Sequence, residues 1–121
     1  MSDVAETPKG SIASAISGAV VQLMREYTGR GPTKARTYIN DDLITVVLQD
    51  TLTMGERSLV RDGEGELVIT MRKAFQRTMS SQMIDAVERN SGRSVLAFLS
   101  DNHVDPDVAI ESFLLAPPSD G

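Results

Sequence analysis

Arg25, Arg30, Lys34 and Arg36 crowd around the stretch Thr28-Gly29-Arg30-Gly31-Pro32-Thr33. With Glu26 they give residues 25 to 36 a charge of +3 in a chain whose net charge is −5, so the remainder carries −8. A local cation cluster on an acidic protein is suited to meeting an anion or an acidic surface. Arginine adds geometry, because its planar fork matches a carboxylate or phosphate where lysine offers only a point charge. Arg30, Gly31, Lys34 and Arg36 are therefore the candidate ligand- or partner-binding residues, with Lys34 and Arg36 spaced to share one face of a strand. The plainer alternative is a helix stop and turn whose arginine is solvated.

Other constellations are weaker. Gly29-Arg30-Gly31-Pro32 has neither the glycine pattern of a dinucleotide site nor the Gly-Lys-Ser/Thr ending of a phosphate loop, and it follows a helix instead of opening one. His103 stands among Asp101, Asp105 and Asp107, but Asp and Asn are favoured in hairpin turns for backbone reasons, and no second histidine or glutamate at ligand spacing supports a metal site. The serines include no Gly-x-Ser-x-Gly elbow, and one histidine is the only ordinary base. No catalytic residue, metal or cofactor is expected. Lys73 and Arg77, four apart on a predicted helix, are like-charged neighbours that an external anion would relieve, although a solvated helix face is the simpler account. Two further readings stay open: an enzyme acting on a small anionic metabolite with His103 or an acid as base, and an interaction module with no ligand.

At 121 residues, 40% hydrophobic and 24% charged, the chain fits one domain with one core. Its aromatics are Tyr27, Tyr38, Phe75, Phe98 and Phe113, so aliphatic packing must dominate. The absence of cysteine fits a reducing compartment and a cytoplasmic location. Met1 to Gly10 reads as neither secretory signal nor transit peptide, and no apolar run approaches the ~20 residues that cross a bilayer. The chain is thus expected not to span a membrane and to reach one only through a transport partner. A sequence pI near 4.7 argues against nucleic-acid binding.

These residues must be positioned by a small set of elements. Ile12, Ile16, Ala19, Val20, Leu23 and Tyr27 recur at helical steps after Ser11 as N-cap, predicting a helix over 11–28 that Gly29 ends. Arg36 to Asp50 reads as a hairpin turning at Asn40-Asp41-Asp42. Thr53 and Glu56 match a capping box opening a short helix that ends near Asp62. A long helix over 66–91 carries the ridge Met71, Phe75, Met79, Met83 and Val87. At 1.5 Å per residue it spans roughly 39 Å, enough for part of it to overhang the domain. Residues 94–100 read as a strand with two apolar faces, hence a central one. A polar turn over 101–107 then leads to a last strand over 108–116. The class is α+β: an antiparallel four-stranded sheet with helices on one face, in the order α-ββ-αα-ββ. Residues 11–116 form the single domain, with flexible tails at 1–10 and 117–121. The methionine ridge suits either core or interface, and a homo-oligomer, a dimer through the long helix, is expected.

In this order the chain resembles the MpsC-type domain. The matching features are Gly29-Arg30-Gly31-Pro32 after the first helix, Leu52-Thr53 with Glu56, Arg72 in the long helix, Ser91-Gly92-Arg93-Ser94-Val95, and Ser100-Asp101. Ser91 stands where threonine is expected. Arg72, which with Lys73 and Arg77 decorates the long helix one position from its apolar ridge, is a further candidate binding residue, a solvated helix face being the simpler account. The resemblance covers residues 11 to 116. It implies an accessory domain linked to ion or inorganic-carbon transport in a sodium-translocating, membrane-potential-generating system, and it brings no catalytic residues.

Overall fold

The computed structural model describes residues 9–118. Its elements are α1 (Lys9–Thr28), β1 (Lys34–Asn40), β2 (Leu43–Gln49), α2 (Met54–Arg61), α3 (Gly65–Ser91), β3 (Val95–Val104) and β4 (Asp107–Leu115). The expected order and α+β class hold. All pairings are antiparallel and the sheet order is β1-β2-β4-β3. The expected tails lie mostly outside the described residues, but Lys9 and Gly10 belong to α1, which places Ser11 inside its first turn and not at its cap.

The core follows from two periodicities. Ile16, Val20, Leu23 and Met24 recur at helical steps on α1, while Ile44, Val46 and Leu48 on β2 and Ala109, Phe113 and Leu115 on β4 alternate, and all are buried together. Met79, Met83 and Val87 of α3 close the same cluster, and Phe98 stacks on Phe113 at 4.7 Å between centroids. Glu111 is in phase with these β4 residues and is therefore carried into the interior.

Three expectations are corrected. The ridge of α3 does not stay on one face: a helix turns about 100° per residue, so steps of four drift by about 40° each, and the path from Met71 to Val87 winds through about 160°. The face that is buried centres instead on Val68, Arg72, Met79, Met83 and Ala86, leaving Met71 at its margin and Arg72 in the middle. The methionines Met79 and Met83 are spent on the core. Secondly, β3 is an edge strand. Its far-face apolar residues are uncovered, Leu99 being 65% exposed, and a bulge between Val95 and Ala97 leaves Leu96 64% exposed. Thirdly, residues 101–104 continue β3, so the turn is only Asp105-Pro106, across a cis peptide. The longer strand also gives α3 a seat along its length. A Cβ on Gly65 would lie 3.5 Å from Val104, so the start of the helix rests against the end of the hairpin and does not overhang.

Phe113→Ala is expected to cost about 3–5 kcal/mol in urea unfolding, because Phe113 is fully buried at the sheet–helix junction. Leu67→Ala, on the exposed side of α3, should stay within about 0.5 kcal/mol. Similar costs for the two would contradict this placement of the core.

Candidate functional site

At the basic turn, Gly29 takes a left-handed φ of 82° and its amide bonds the Arg25 carbonyl at 2.9 Å, ending α1 as expected. Gly31 is there for closeness: a Cβ would sit 3.2 Å from both Val21 Cγ1 and Arg25 Nη2. The turn then divides its cations. Arg30 Nη2 bonds Asp50 Oδ2 at 2.8 Å, Thr33 Oγ1 donates to the same oxygen at 2.9 Å, and Arg57 holds the other carboxylate oxygen. Asp50 sits in the left-handed region at φ 59°, a conformation Asp tolerates better than most residues. The hydrogen bond from Thr33, joined by the Arg30 and Arg57 guanidiniums, outweighs desolvation and holds the Asp50 carboxyl below its ordinary value. Lys34 and Arg36 instead point to the sheet face that carries no helix, with the Arg36 guanidinium 5.3 Å from the Tyr38 ring centroid. They line a depression of about 620 Å³ with Thr33, Ala35, Tyr38, Val47 and Gln49. The structure thus brings Lys34 and Arg36 together and commits Arg30 to Asp50.

Arg72 lies elsewhere and is 2% exposed. Its Nε bonds Glu56 Oε2 at 2.9 Å, while Nη2 bonds Glu56 Oε1 at 2.5 Å and the Thr51 carbonyl at 2.8 Å. Glu56 simultaneously completes the expected capping box, accepting from the Thr53 amide at 2.8 Å while Thr53 Oγ1 accepts from the Glu56 amide at 3.2 Å. Burial opposes the charge on Glu56, but the Arg72 and Thr53 hydrogen bonds and the guanidinium's field prevail, and its carboxyl is held below the usual range. Arg72 therefore ties α3 to α2 and to the end of β2, with Nη1 unpartnered.

Beside Arg72, between α3 and β3, opens a cleft of about 360 Å³ lined by Lys73, Gln76, Arg77, Ser80, Phe98 and Ser100. One helical turn beyond Arg72, Gln76 places a buried amide nitrogen there that has no hydrogen-bond partner. The five ion pairs among the described residues involve neither Lys73 nor Arg77. The Ser100 hydroxyl donates to buried Glu111. Burial, with a smaller push from Asp101, raises the Glu111 carboxyl to about 7 against the opposing effects of Ser100 and Arg72. The cleft thus brings together Gln76 and two cations without an ion-pair partner among the described residues, beside Ser100 and the Glu111 carboxyl it bonds, which is only partly ionised near neutrality. Unpaired donors of this kind are chemically suited to an anion. Of this group the sequence marks Lys73 and Arg77 by charge and Ser100 by its place in the family pattern; the available signal for the rest is Glu111, an acid in register with core positions of β4.

Asp101, His103, Asp105 and Asp107 do not converge. Asp107 turns inward to accept from Thr51 Oγ1 and the Leu52 amide, each at 2.9 Å, while exposed His103 bonds the Pro106 carbonyl through Nδ1 at 2.8 Å. Among the described residues no group of three His, Cys, Asp or Glu side chains is placed to hold a metal ion. His103 and Lys34 occupy opposite edges of the sheet, three strand spacings or about 14 Å apart, and the depression beside Lys34 ends at Val47 and Gln49.

Two helices over an antiparallel sheet, with a short third helix packed on the longer one and a cationic helix–strand cleft, are the class of protein the geometry defines. The family model described as "Na+-translocating membrane potential-generating system (MpsC)" matches residues 8–117, and the chain belongs to that family. It is also similar to an uncharacterized protein of Bacillus subtilis (strain 168), YbcI, with 33% identity over 94 residues that cover 77% of this chain and 76% of the relative. No solved structure matches it. No helix among the described residues is long and apolar enough to cross a membrane.

Two outcomes follow for the polar network. Arg72→Met strands a buried carboxylate and is expected to cost about 3–5 kcal/mol in urea unfolding, whereas the double variant Arg72→Met/Glu56→Leu should recover much of it. Equal losses in single and double variants would contradict the pairing. For Glu111, the unfolded carboxyl ionises near 4.5 and the folded one near 7, so the folded state holds the extra proton in between. Stability should fall as pH rises from about 4.5 to about 7, by on the order of 2–3 kcal/mol, and level off above. Asp50 and Glu56, whose carboxyls are held low, act below that window. Glu111→Gln should remove the decline, read as the difference in unfolding free energy between pH 5 and pH 8. A decline of the same size in both proteins would contradict the assignment.

Proposed function

We propose that this chain is a non-enzymatic accessory domain of a sodium-translocating, membrane-potential-generating system, and that it senses or holds a small anion in the α3–β3 cleft. The observation that carries the reading is the buried, unpartnered Gln76 amide beside Lys73 and Arg77, which pair with no carboxylate among the described residues. An anion there gains two charge-assisted contacts and satisfies a donor that otherwise costs about 1–3 kcal/mol to leave unmade. Inorganic carbon fits as bicarbonate, and phosphate fits by the same chemistry. Ion or inorganic-carbon transport is the process such a domain would serve, from the cytoplasmic side and through a membrane partner. Lys34 and Arg36 are the separate contact to an acidic partner, while Arg30, Gly31 and Arg72 shape the scaffold around these sites.

The reading of an enzyme with His103 as base loses support from the distance between His103 and the cations and from the lack of a cleft joining them. Isothermal titration with sodium bicarbonate and with sodium phosphate tests the proposal. At least one should bind, and Lys73→Ala/Arg77→Ala should weaken it at least about tenfold, whereas Lys34→Ala/Arg36→Ala should not. Absence of binding to both, or unchanged affinity in the Lys73/Arg77 variant, would overturn the cleft as an anion site.

A further inference from the structure

The helices leave one face of the sheet bare, and that face mixes exposed apolar side chains with charged and polar ones. Tyr38, Leu43, Leu99, Ile110 and Leu114 project from it with 42 to 65% of their surface exposed. Single exposed apolar residues are ordinary, but a contiguous patch spread over four strands marks an interaction surface. The register arranges the patch in rows across β1-β2-β4-β3. One row reads Arg36, Val47, Ile110, Asp101, and the next reads Tyr38, Thr45, Ser112, Leu99. Each row has a cation or aromatic ring at the β1 end and an acid or aliphatic side chain at the β3 end.

We propose that a second copy of this chain covers the face, packed sheet on sheet about a two-fold axis that runs along the strands between β2 and β4. Such an axis reverses the strand order while keeping each row in place. Arg36 of one copy then meets Asp101 of the other, Tyr38 meets Leu99, and Val47 meets Ile110, each pair made twice. An isologous interface requires this self-complementarity, and the row order supplies it. Four strands at about 4.8 Å and seven residues at about 3.4 Å cover about 450 Å² of sheet plane. Two copies thus bury about 900 Å² before side-chain relief is counted, close to the ~1,000 Å² that specific interfaces clear, in the aligned packing of β-sandwiches. The polar outward side of α3 offers nothing comparable, and its methionines Met79 and Met83 are already in the core. The dimer expected through the long helix is therefore reassigned to the sheet. This inference rests on Lys34 and Arg36 serving as a partner contact and names that partner; the anion cleft lies on the other side of the sheet and stands or falls separately.

Sedimentation equilibrium of the full chain from about 1 to about 200 µM tests it. The chain should reach twice its 13.1 kDa. Ile110→Lys should give a monomer that keeps the parent's circular dichroism. Arg36→Asp should weaken dimerisation at least about tenfold, and Arg36→Asp/Asp101→Arg should restore it, because only the paired swap rebuilds the contact. A monomer across the whole range would mean the face serves a different protein and would overturn the proposal. So would a dimer indifferent to Ile110→Lys, or one that the double swap fails to restore. Bicarbonate or phosphate binding retained by the Ile110→Lys monomer would show that the cleft reading survives either result.

Discussion

The buried pair between Arg72 and Glu56 is the constraint on which the arrangement turns. Three segments distant in sequence meet at it: the long helix through Arg72, the short helix through Glu56, and the end of β2 through the Thr51 carbonyl. A guanidinium removed from water is tolerable only when its donors and its charge are answered together. Here the Glu56 carboxylate answers the charge and, with the Thr51 carbonyl, the Nε and Nη2 donors, leaving Nη1 unpartnered, while also capping α2. The economy has a structural consequence. The angle at which α3 crosses the sheet is set where a misfit would be most expensive, and the same turn of α3 that buries Arg72 delivers Lys73, Gln76 and Arg77 to the cleft beside β3.

A second polar anchor works at the other end of the β2–α2 turn. Asp50, in its left-handed conformation, gathers Arg30, Thr33 and Arg57, and Asp107 holds Thr51 and the Leu52 amide. The most cationic stretch of the sequence is therefore partly neutralised by the chain's own acids, and what it leaves free, Lys34 and Arg36, belongs to the open sheet face. Net charge along a sequence counts every cation equally; the fold does not. Lys73 and Arg77 are less conspicuous in sequence, yet among the described residues they form no ion pair, and they border an open groove whose Ser100 bonds the Glu111 carboxyl, held up to about 7 by burial.

Local chemistry made most of the fold legible. The capping box at Thr53 and Glu56, the left-handed stop at Gly29, the alternation of β2 and β4 and the helical spacing on α1 each depend on neighbours within a few residues, and each was readable. What depended on geometry over longer distances was not. An apolar ridge of steps of four looks continuous in sequence, but it winds around the helix, which hid the central position of Arg72. Two apolar faces on β3 point to a central strand, but the strand lies at the edge and one of its faces is simply uncovered. In the candidate site, Arg30, Lys34 and Arg36 lie near one turn because they are close in sequence, but the contacts with Asp50 and Tyr38 that separate them, and the meeting of Gln76 with Ser100 across the cleft, are set by tertiary packing alone.

The central claim is that the fold divides its cations into those committed to the scaffold and those held for an anion. Side-chain NMR that follows arginine Nε–H and glutamine amide signals during a bicarbonate and a phosphate titration tests it most directly. The account predicts that Arg77 and the Gln76 amide shift with ligand, while Arg72 keeps a slowly exchanging Nε–H and Arg30 does not respond. Shifts confined to Arg30 and Arg36, or a rapidly exchanging Arg72 that moves with the anion, would contradict it.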